Sequence, residues 1–108
     1  MNEPSPASGA IPAPVPLAGA AAESAPVDPA RVLAGTPVQT IANAYSDPGG
    51  RFHCGTWSST PGRWRVRYTE TEFCHLLSGR VRLVADDGRA FEYGPGDAWV
   101  IRYAIHEG

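Results

Sequence analysis

Residues 62–101 alternate apolar and polar side chains with a period of two, and short segments containing glycine interrupt the alternation. This period is typical of β-strands with one covered face, and the stretch lacks the 3.6-residue period of an amphipathic helix. The pattern predicts antiparallel strands over residues 63–68, 73–77, 80–84, 90–93 and 98–103.

The first two of these strands have different faces. In residues 63–68 the aromatic and aliphatic side chains share one parity, which we predict to face inward, and three arginines share the other. In residues 73–77 both parities carry large apolar side chains. We therefore expect that second strand to be covered on both sides.

Turn residues fix the connections between the predicted strands. Asp86-Asp87-Gly88 is the strongest hairpin signal, because Asp-Gly tolerates the positive φ of a tight turn, and Gly94-Pro95-Gly96-Asp97 predicts a second turn. Upstream, strands are predicted over residues 38–45 and 51–58, on either side of a loop at 46–50. Seven closely spaced strands favour a β-sandwich or a β-barrel.

The first thirty residues differ in composition from the rest. They contain seven prolines and nine alanines, with no aromatic and no basic residue. Such a segment cannot bury enough apolar surface to fold. We therefore predict a disordered Ala/Pro-rich tail over residues 1–27 and one domain over 28–108. The tail has neither a basic start nor an unbroken apolar core, so we expect a cytoplasmic protein with no membrane contact.

The charged residues of the chain argue against two classes of function. All nine basic residues are arginines, against eleven acidic residues. The absence of lysine excludes Schiff-base catalysis on a lysine, and the charge balance gives no general attraction to nucleic acid.

Three motifs together suggest a family. P-G-x-W begins at Pro61, E-F-C-H-L-L-x-G at Glu72 and G-P-G-D at Gly94. This combination resembles small single-domain cupins related to the cupin domain of ureidoglycine aminohydrolase. The resemblance implies an all-β, cupin-like (jelly-roll) β-barrel, and a manganese-dependent release of ammonia from ureidoglycine. The resembling family continues into further strands, so we expect a barrel that is incomplete at the C-terminus. We also expect either a homodimer that pairs along residues 98–101 or a marginally stable, aggregation-prone monomer.

The metal ligands of that family are matched at one position. Glu72 occupies the glutamate position of the first motif, whereas Val66 and Tyr68, or Arg65 and Arg67 with a longer gap, occupy the histidine positions. The second motif falls on residues 102–107, where His106 lies one place from the ligand position. One carboxylate holds a transition metal poorly. We therefore predict no tightly held metal and keep manganese or another divalent metal as the alternative.

The candidate site is the mouth of the predicted barrel. Glu72 and Tyr68 are the candidate catalytic residues, since a partly buried carboxyl can act as an acid or base and a phenol can orient a substrate. The candidate ligand-binding residues are Trp64, Val66, Cys74, His75, Trp99 and His106. The simpler interpretation is that the aromatic residues form the core and Glu72 faces water. Cys74 and His75 are adjacent in a strand and point to opposite faces, so they do not form a nucleophile and base pair.

The sequence thus predicts a small cupin domain that binds a small-molecule ligand. The alternatives are a metal-dependent aminohydrolase and a non-catalytic structural or regulatory module.

Overall fold

The computed structural model describes residues 11–102, and one short 3₁₀ helix and nine strands lie within this range. The helix is Leu17–Gly19, and the strands are β1 (Glu23–Pro26), β2 (Val32–Ala34), β3 (Val38–Ser46), β4 (His53–Ser59), β5 (Arg63–Trp64), β6 (Glu72–His75), β7 (Val81–Val84), β8 (Ala90–Tyr93) and β9 (Ala98–Ile101). The predicted all-β class is confirmed. No helix among these residues is long and apolar enough to cross a membrane.

All strand pairs are antiparallel. One sheet has three strands in the order β1-β3-β4, and the other pairs are β2-β5, β6-β9 and β7-β8. The chain divides between Arg65 and Val66 into two units, the first with β1 to β5 and the second with β6 to β9.

The β3-β4 hairpin is the longest pairing of the first unit. Its register shifts between Asn43 and Tyr45, so Ala44 is an extra residue in a β-bulge. The Asp47 carboxylate closes the connecting loop by accepting hydrogen bonds from the backbone N–H groups of Arg51 (2.7 Å) and Phe52 (3.0 Å). These bonds, the one to Phe52 foremost, lower the pKa of Asp47. A loop is confirmed here, although it spans residues 47–52 and not the predicted 46–50.

Strand β1 corrects the predicted tail. Residues 23–26 pair with β3 from Glu23 opposite Ile41 to Pro26 opposite Val38, and the Ser24 and Thr40 hydroxyl oxygens are 2.7 Å apart. The prediction of disorder there was wrong because β1 is an edge strand. An edge strand needs hydrogen bonds on one side only, and it tolerates a terminal proline. The assignment of residues 1–10 lies outside the described residues.

The most buried of the described residues all lie in the first unit. Val27 and Ala42 are 8% and 6% exposed, and Pro37 is fully buried. Gly62 lies directly against Pro37, where an added Cβ would be 2.6 Å from the proline Cβ. Among residues 66–102 none is fully buried.

The strand predicted over residues 63–68 is shorter than expected. β5 ends at Trp64, although the Arg65 N–H still donates to the Arg31 carbonyl (2.9 Å). The partner chain turns away at Asp28–Arg31, so the residues after Arg65 find no further ladder partner there. Val66 is 47% exposed, and its predicted inward orientation is wrong.

Two turns shape the second unit as predicted. In the β7-β8 hairpin, Asp87 accepts hydrogen bonds from the Arg89 backbone N–H (3.0 Å) and Nε (2.8 Å), and Gly88 has a φ of 89°. In the G-P-G-D turn, the Asp97 carboxylate accepts a hydrogen bond from the Gly94 N–H (2.7 Å). The Leu76 N–H donates to the Asp97 carbonyl (2.9 Å), which ties this turn to the end of β6.

The β6-β9 ribbon has one exposed apolar face. Phe73 lies opposite Val100, and the two are 74% and 53% exposed, while Leu77 beyond β6 is 73% exposed. The expectation that residues 73–77 are covered on both sides is therefore wrong within the described chain. Alternation alone shows which residues share a face, and it does not show what covers that face.

Candidate functional site

The other face of the β6-β9 ribbon carries the candidate chemistry. Glu72 and Cys74 are two residues apart in β6 and share this face. Their cross-strand partners in β9 are Ile101 and Trp99. Antiparallel pairing therefore places the Cys74 thiol beside the Trp99 indole, with the Glu72 carboxyl next along the strand.

Tyr68 joins Glu72 and Cys74 in one electrostatic cluster. Burial raises the pKa of Tyr68, and the charges of Glu72 and Cys74 raise it further. Burial also raises the pKa of Cys74, again with a contribution from Glu72. The structure thus brings together three of the predicted site residues.

Glu72 is exposed as a whole residue, yet its carboxyl group is partly removed from water. This desolvation raises the pKa of Glu72, and the negative charge of Glu70 adds to the effect. A carboxyl with a raised pKa exchanges its proton closer to neutral pH than an ordinary glutamate does. Glu72 is therefore suited to acid or base chemistry and to hydrogen bonding in either protonation state.

An aromatic pair lies beside this cluster. The Tyr93 and Trp99 rings are stacked, with centroids 4.0 Å apart and planes inclined by 5°. The Trp99 indole N–H is buried without a hydrogen-bond partner in the described chain. A flat ring pair of this kind can form one apolar wall of a binding site for a planar ligand.

The remaining predicted site residues lie elsewhere. His75 shares the opposite face of β6 with Phe73, so it does not join Glu72 and Cys74. Val66 is exposed, and His106 lies outside the described residues. Trp64 belongs to the first unit, where its ring contacts that of Trp57 at a centroid distance of 6.3 Å.

Two functional neighbours were missed by the sequence analysis. Tyr93 was assigned only as the end of a strand, because its stacking partner Trp99 follows on another strand. Glu70 has no role in the sequence analysis, although its position two residues before Glu72 is a local signal for carboxylate repulsion. The contact of Tyr93 depends on tertiary structure, whereas the effect of Glu70 could have been predicted from the sequence.

The donor set of this cluster does not fit a transition metal. Within residues 11–102 there is no group of three or more His, Cys, Asp or Glu side chains placed to hold a metal ion. The raised pKa of Cys74 also keeps its thiol protonated, whereas metals bind the thiolate.

A shallow groove of about 390 Å³ lies in the first unit, on the β1-β3 face. Its lining includes Glu23, Gln39 and Ile41. Glu23 is the one ionisable residue in that lining, so the groove lacks the converging titratable groups of the Tyr68 cluster. We therefore take the cluster as the candidate site.

The result of comparing the chain with known proteins is consistent with the all-β fold. No curated protein matches the chain significantly. The family model for the EutQ-like cupin domain matches residues 46–105, more than half of the chain. The match includes β4, β5 and all of β6 to β9, together with the candidate site. The chain therefore belongs to the EutQ-like cupin domain family, and the cupin fold expected from its motifs is confirmed.

Proposed function

We propose that this cupin domain binds a small planar polar molecule at the Tyr68, Glu72 and Cys74 cluster, without a tightly held metal. The single observation that carries the proposal is the shared face of the β6-β9 ribbon, where Glu72 and Cys74 lie side by side and Trp99 lies opposite Cys74. Burial raises the pKa of Tyr68, Glu72 and Cys74, in agreement with this arrangement. Titratable groups perturbed by burial and by one another are typical of functional sites.

Each group has a role in the proposed complex. The Tyr68 phenol stays protonated at neutral pH, because its pKa is raised, and donates a hydrogen bond to the ligand. Glu72 accepts a ligand proton or donates one, which makes it the candidate acid or base. The stacked Tyr93 and Trp99 rings form the apolar wall of the site.

Ligand-observed NMR with a library of small amides, ureas and heteroaromatic compounds tests the proposal on the full chain. We expect hits whose affinity falls at least about tenfold in Glu72→Gln, because a charge-assisted hydrogen bond contributes about 1.5–3 kcal/mol. Glu92→Gln is the matched control, since Glu92 lies on β8 and pairs with Arg82 (3.5 Å) at the surface. Equal binding by Glu72→Gln and the wild type would show that the site assignment is wrong.

A second test needs no ligand. In a Cys54→Ala background, iodoacetamide reports the ionisation of Cys74, because the thiolate is the reacting species. Removing the Glu72 charge should lower the pKa of Cys74 and speed its alkylation at pH 8. Glu92→Gln should leave the rate unchanged. An unchanged rate in Glu72→Gln would remove the electrostatic basis of the cluster.

The second candidate function is that of a metal-dependent aminohydrolase related to ureidoglycine aminohydrolase. The three quoted motifs support it, and Glu72 stands at that family's carboxylate ligand position. Val66 and Tyr68 in place of histidines count against it. Elemental analysis after dialysis should give less than about one equivalent of manganese, iron, nickel or zinc per chain. Stoichiometric metal that is lost in His106→Ala, together with ammonia release from ureidoglycine, would establish this function instead.

A further inference from the structure

The groove on the β1-β3 face belongs to the first unit, whereas the Tyr68 cluster belongs to the second. Its volume of about 390 Å³ lies within the usual range of ligand pockets, about 300–1,000 Å³. Strand β3 contributes Gln39, Ile41 and Asn43 to the lining, and β1 contributes Glu23. The three β3 residues alternate along the strand, and Glu23 pairs with Ile41, so all four side chains share one face of the sheet.

The centre of this face is apolar. Ile41 lies between its two cross-strand partners, Glu23 on β1 and Trp57 on β4. Ile41 and Trp57 are 51% and 50% exposed, whereas Ala42 on the opposite face is buried. The Trp57 ring also contacts the ring of Trp64, with centroids 6.3 Å apart, which supports the indole from one side. An aromatic surface that is open to solvent therefore adjoins the groove.

Polar groups flank this apolar centre. Gln39 and Asn43 lie two residues before and two residues after Ile41, about 13 Å apart along the strand. Each amide has both donor and acceptor groups, and the amide of Asn43 shares one of them with the Ser46 hydroxyl (2.8 Å). The ionised Glu23 carboxylate accepts hydrogen bonds, and neither of the ion pairs among the described residues involves it.

The charges of this face select the kind of ligand. Strands β1, β3 and β4 contain no arginine, and the chain has no lysine. A phosphate or carboxylate group would therefore meet the Glu23 charge without a neighbouring cation on these strands. A sugar ring matches the arrangement better, because its C–H groups stack on an indole while the hydroxyl groups around its edge donate to carboxylates and amides.

We propose that the groove binds a neutral saccharide, with one ring stacked against the Trp57 indole and with hydroxyl groups bonded to the Glu23 carboxylate and to the two β3 amides. The distance of about 13 Å between the amide positions exceeds the length of one sugar ring, which favours a short oligosaccharide. This proposal does not depend on a ligand at the Tyr68 cluster, because the groove and the cluster belong to different units.

NMR titration of the full-length ¹⁵N-labelled protein with glucose, maltose and cellobiose tests the site. The Trp57 indole N–H and the Gln39 side-chain amide should shift together and reach saturation, and a disaccharide should bind more tightly than glucose. The Trp99 indole N–H, in the second unit, should stay fixed. Absence of shifts with all three sugars, or shifts confined to the second unit, would overturn the proposal.

Two charged compounds separate a saccharide site from other sites. Glucuronate should bind more weakly than glucose, because its carboxylate is repelled by Glu23. Tetramethylammonium should compete poorly with the disaccharides. Saturable shifts with tetramethylammonium and none with the sugars would identify a cation site instead, and tighter binding of glucuronate than of glucose would contradict the role of Glu23.

Variants then test the two kinds of contact. Trp57→Ala should weaken disaccharide binding at least about tenfold, because the stacking surface is lost. Gln39→Leu should weaken binding about threefold to tenfold, as expected for one neutral hydrogen bond. Ser58→Ala is the matched control, since Ser58 follows Trp57 on the opposite face of β4. If Trp57→Ala does not fold, Gln39→Leu decides, and wild-type affinity in Gln39→Leu would overturn the proposal.

Discussion

Gly55 offers a direct test of the β3-β4 pairing. A Cβ at this position would overlap the Ala42 carbonyl oxygen and lie 2.9 Å from the Asn43 Cα. Both obstacles are backbone of the paired strand, so no side chain can rotate away. In Gly55→Ala the two strands must separate locally and lose hydrogen bonds.

The size of the effect follows from this contact. Overpacking costs about 1–3 kcal/mol, and the backbone location of the clash places Gly55→Ala near the upper end, at about 3 kcal/mol. For a domain of this size, 1 kcal/mol corresponds to about 4–8 °C in melting temperature, so a loss of about 12–24 °C is expected.

Circular dichroism with thermal and urea denaturation measures the loss. Gly19→Ala is the matched control, because an added Cβ there meets nothing within 4 Å. Its free energy of unfolding should stay within about 0.5 kcal/mol of the wild type. If Gly55→Ala is destabilised by less than about 1 kcal/mol and keeps its spectrum, β3 and β4 do not approach as closely as described.

Three further predictions concern the edge strand, the candidate carboxyl and the assembly state. A chain that starts at Asp28 lacks β1 and the buried Val27, so it should melt below the full chain; equal melting temperatures would show that β1 adds no stability. Folding raises the pKa of Glu72 above its ordinary value of 4.5, so the ionised carboxylate destabilises the folded protein. This destabilisation is absent below pH 4.5 and grows as the pH rises through the folded pKa. Glu72→Gln should therefore stabilise the protein more at pH 7 than at pH 4 in urea denaturation, and the opposite order would contradict the raised pKa. Sedimentation equilibrium should give the mass of a homodimer that Val100→Lys converts to a monomer, whereas a monomeric wild type would contradict the expected assembly.

The sequence predicted the elements whose signals are local. Asp86-Asp87-Gly88 and the G-P-G-D turn are specified by the backbone needs of their own residues, and both turns form where expected. The strands on either side of the Asp47 loop could be predicted for the same reason. The motifs that contain Glu72 and Gly94 also identified the cupin family.

The errors concern what a segment pairs with. β1 was missed because alanine and proline content describes a segment alone, whereas β3 supplies the hydrogen bonds that order it. The strand at residues 63–68 was predicted too long because the alternation continues after the partner chain has turned away at Arg31. Of the site, Tyr68, Glu72 and Cys74 were named in advance, and the stacking of Tyr93 on Trp99 depends on a tertiary contact that no periodicity reveals.

The uneven distribution of buried residues between the two units has a consequence for the energetics of recognition. Val27, Pro37 and Ala42 all belong to the first unit, and the candidate site belongs to the second. Segments with little buried surface open locally at a lower free energy than the global unfolding of the protein. We therefore expect hydrogen exchange at β6 to β9 to be faster than at β3 and β4 in the free protein. A ligand at the Tyr68 cluster would slow exchange there first, so part of its intrinsic affinity would be spent on ordering the strands that hold it.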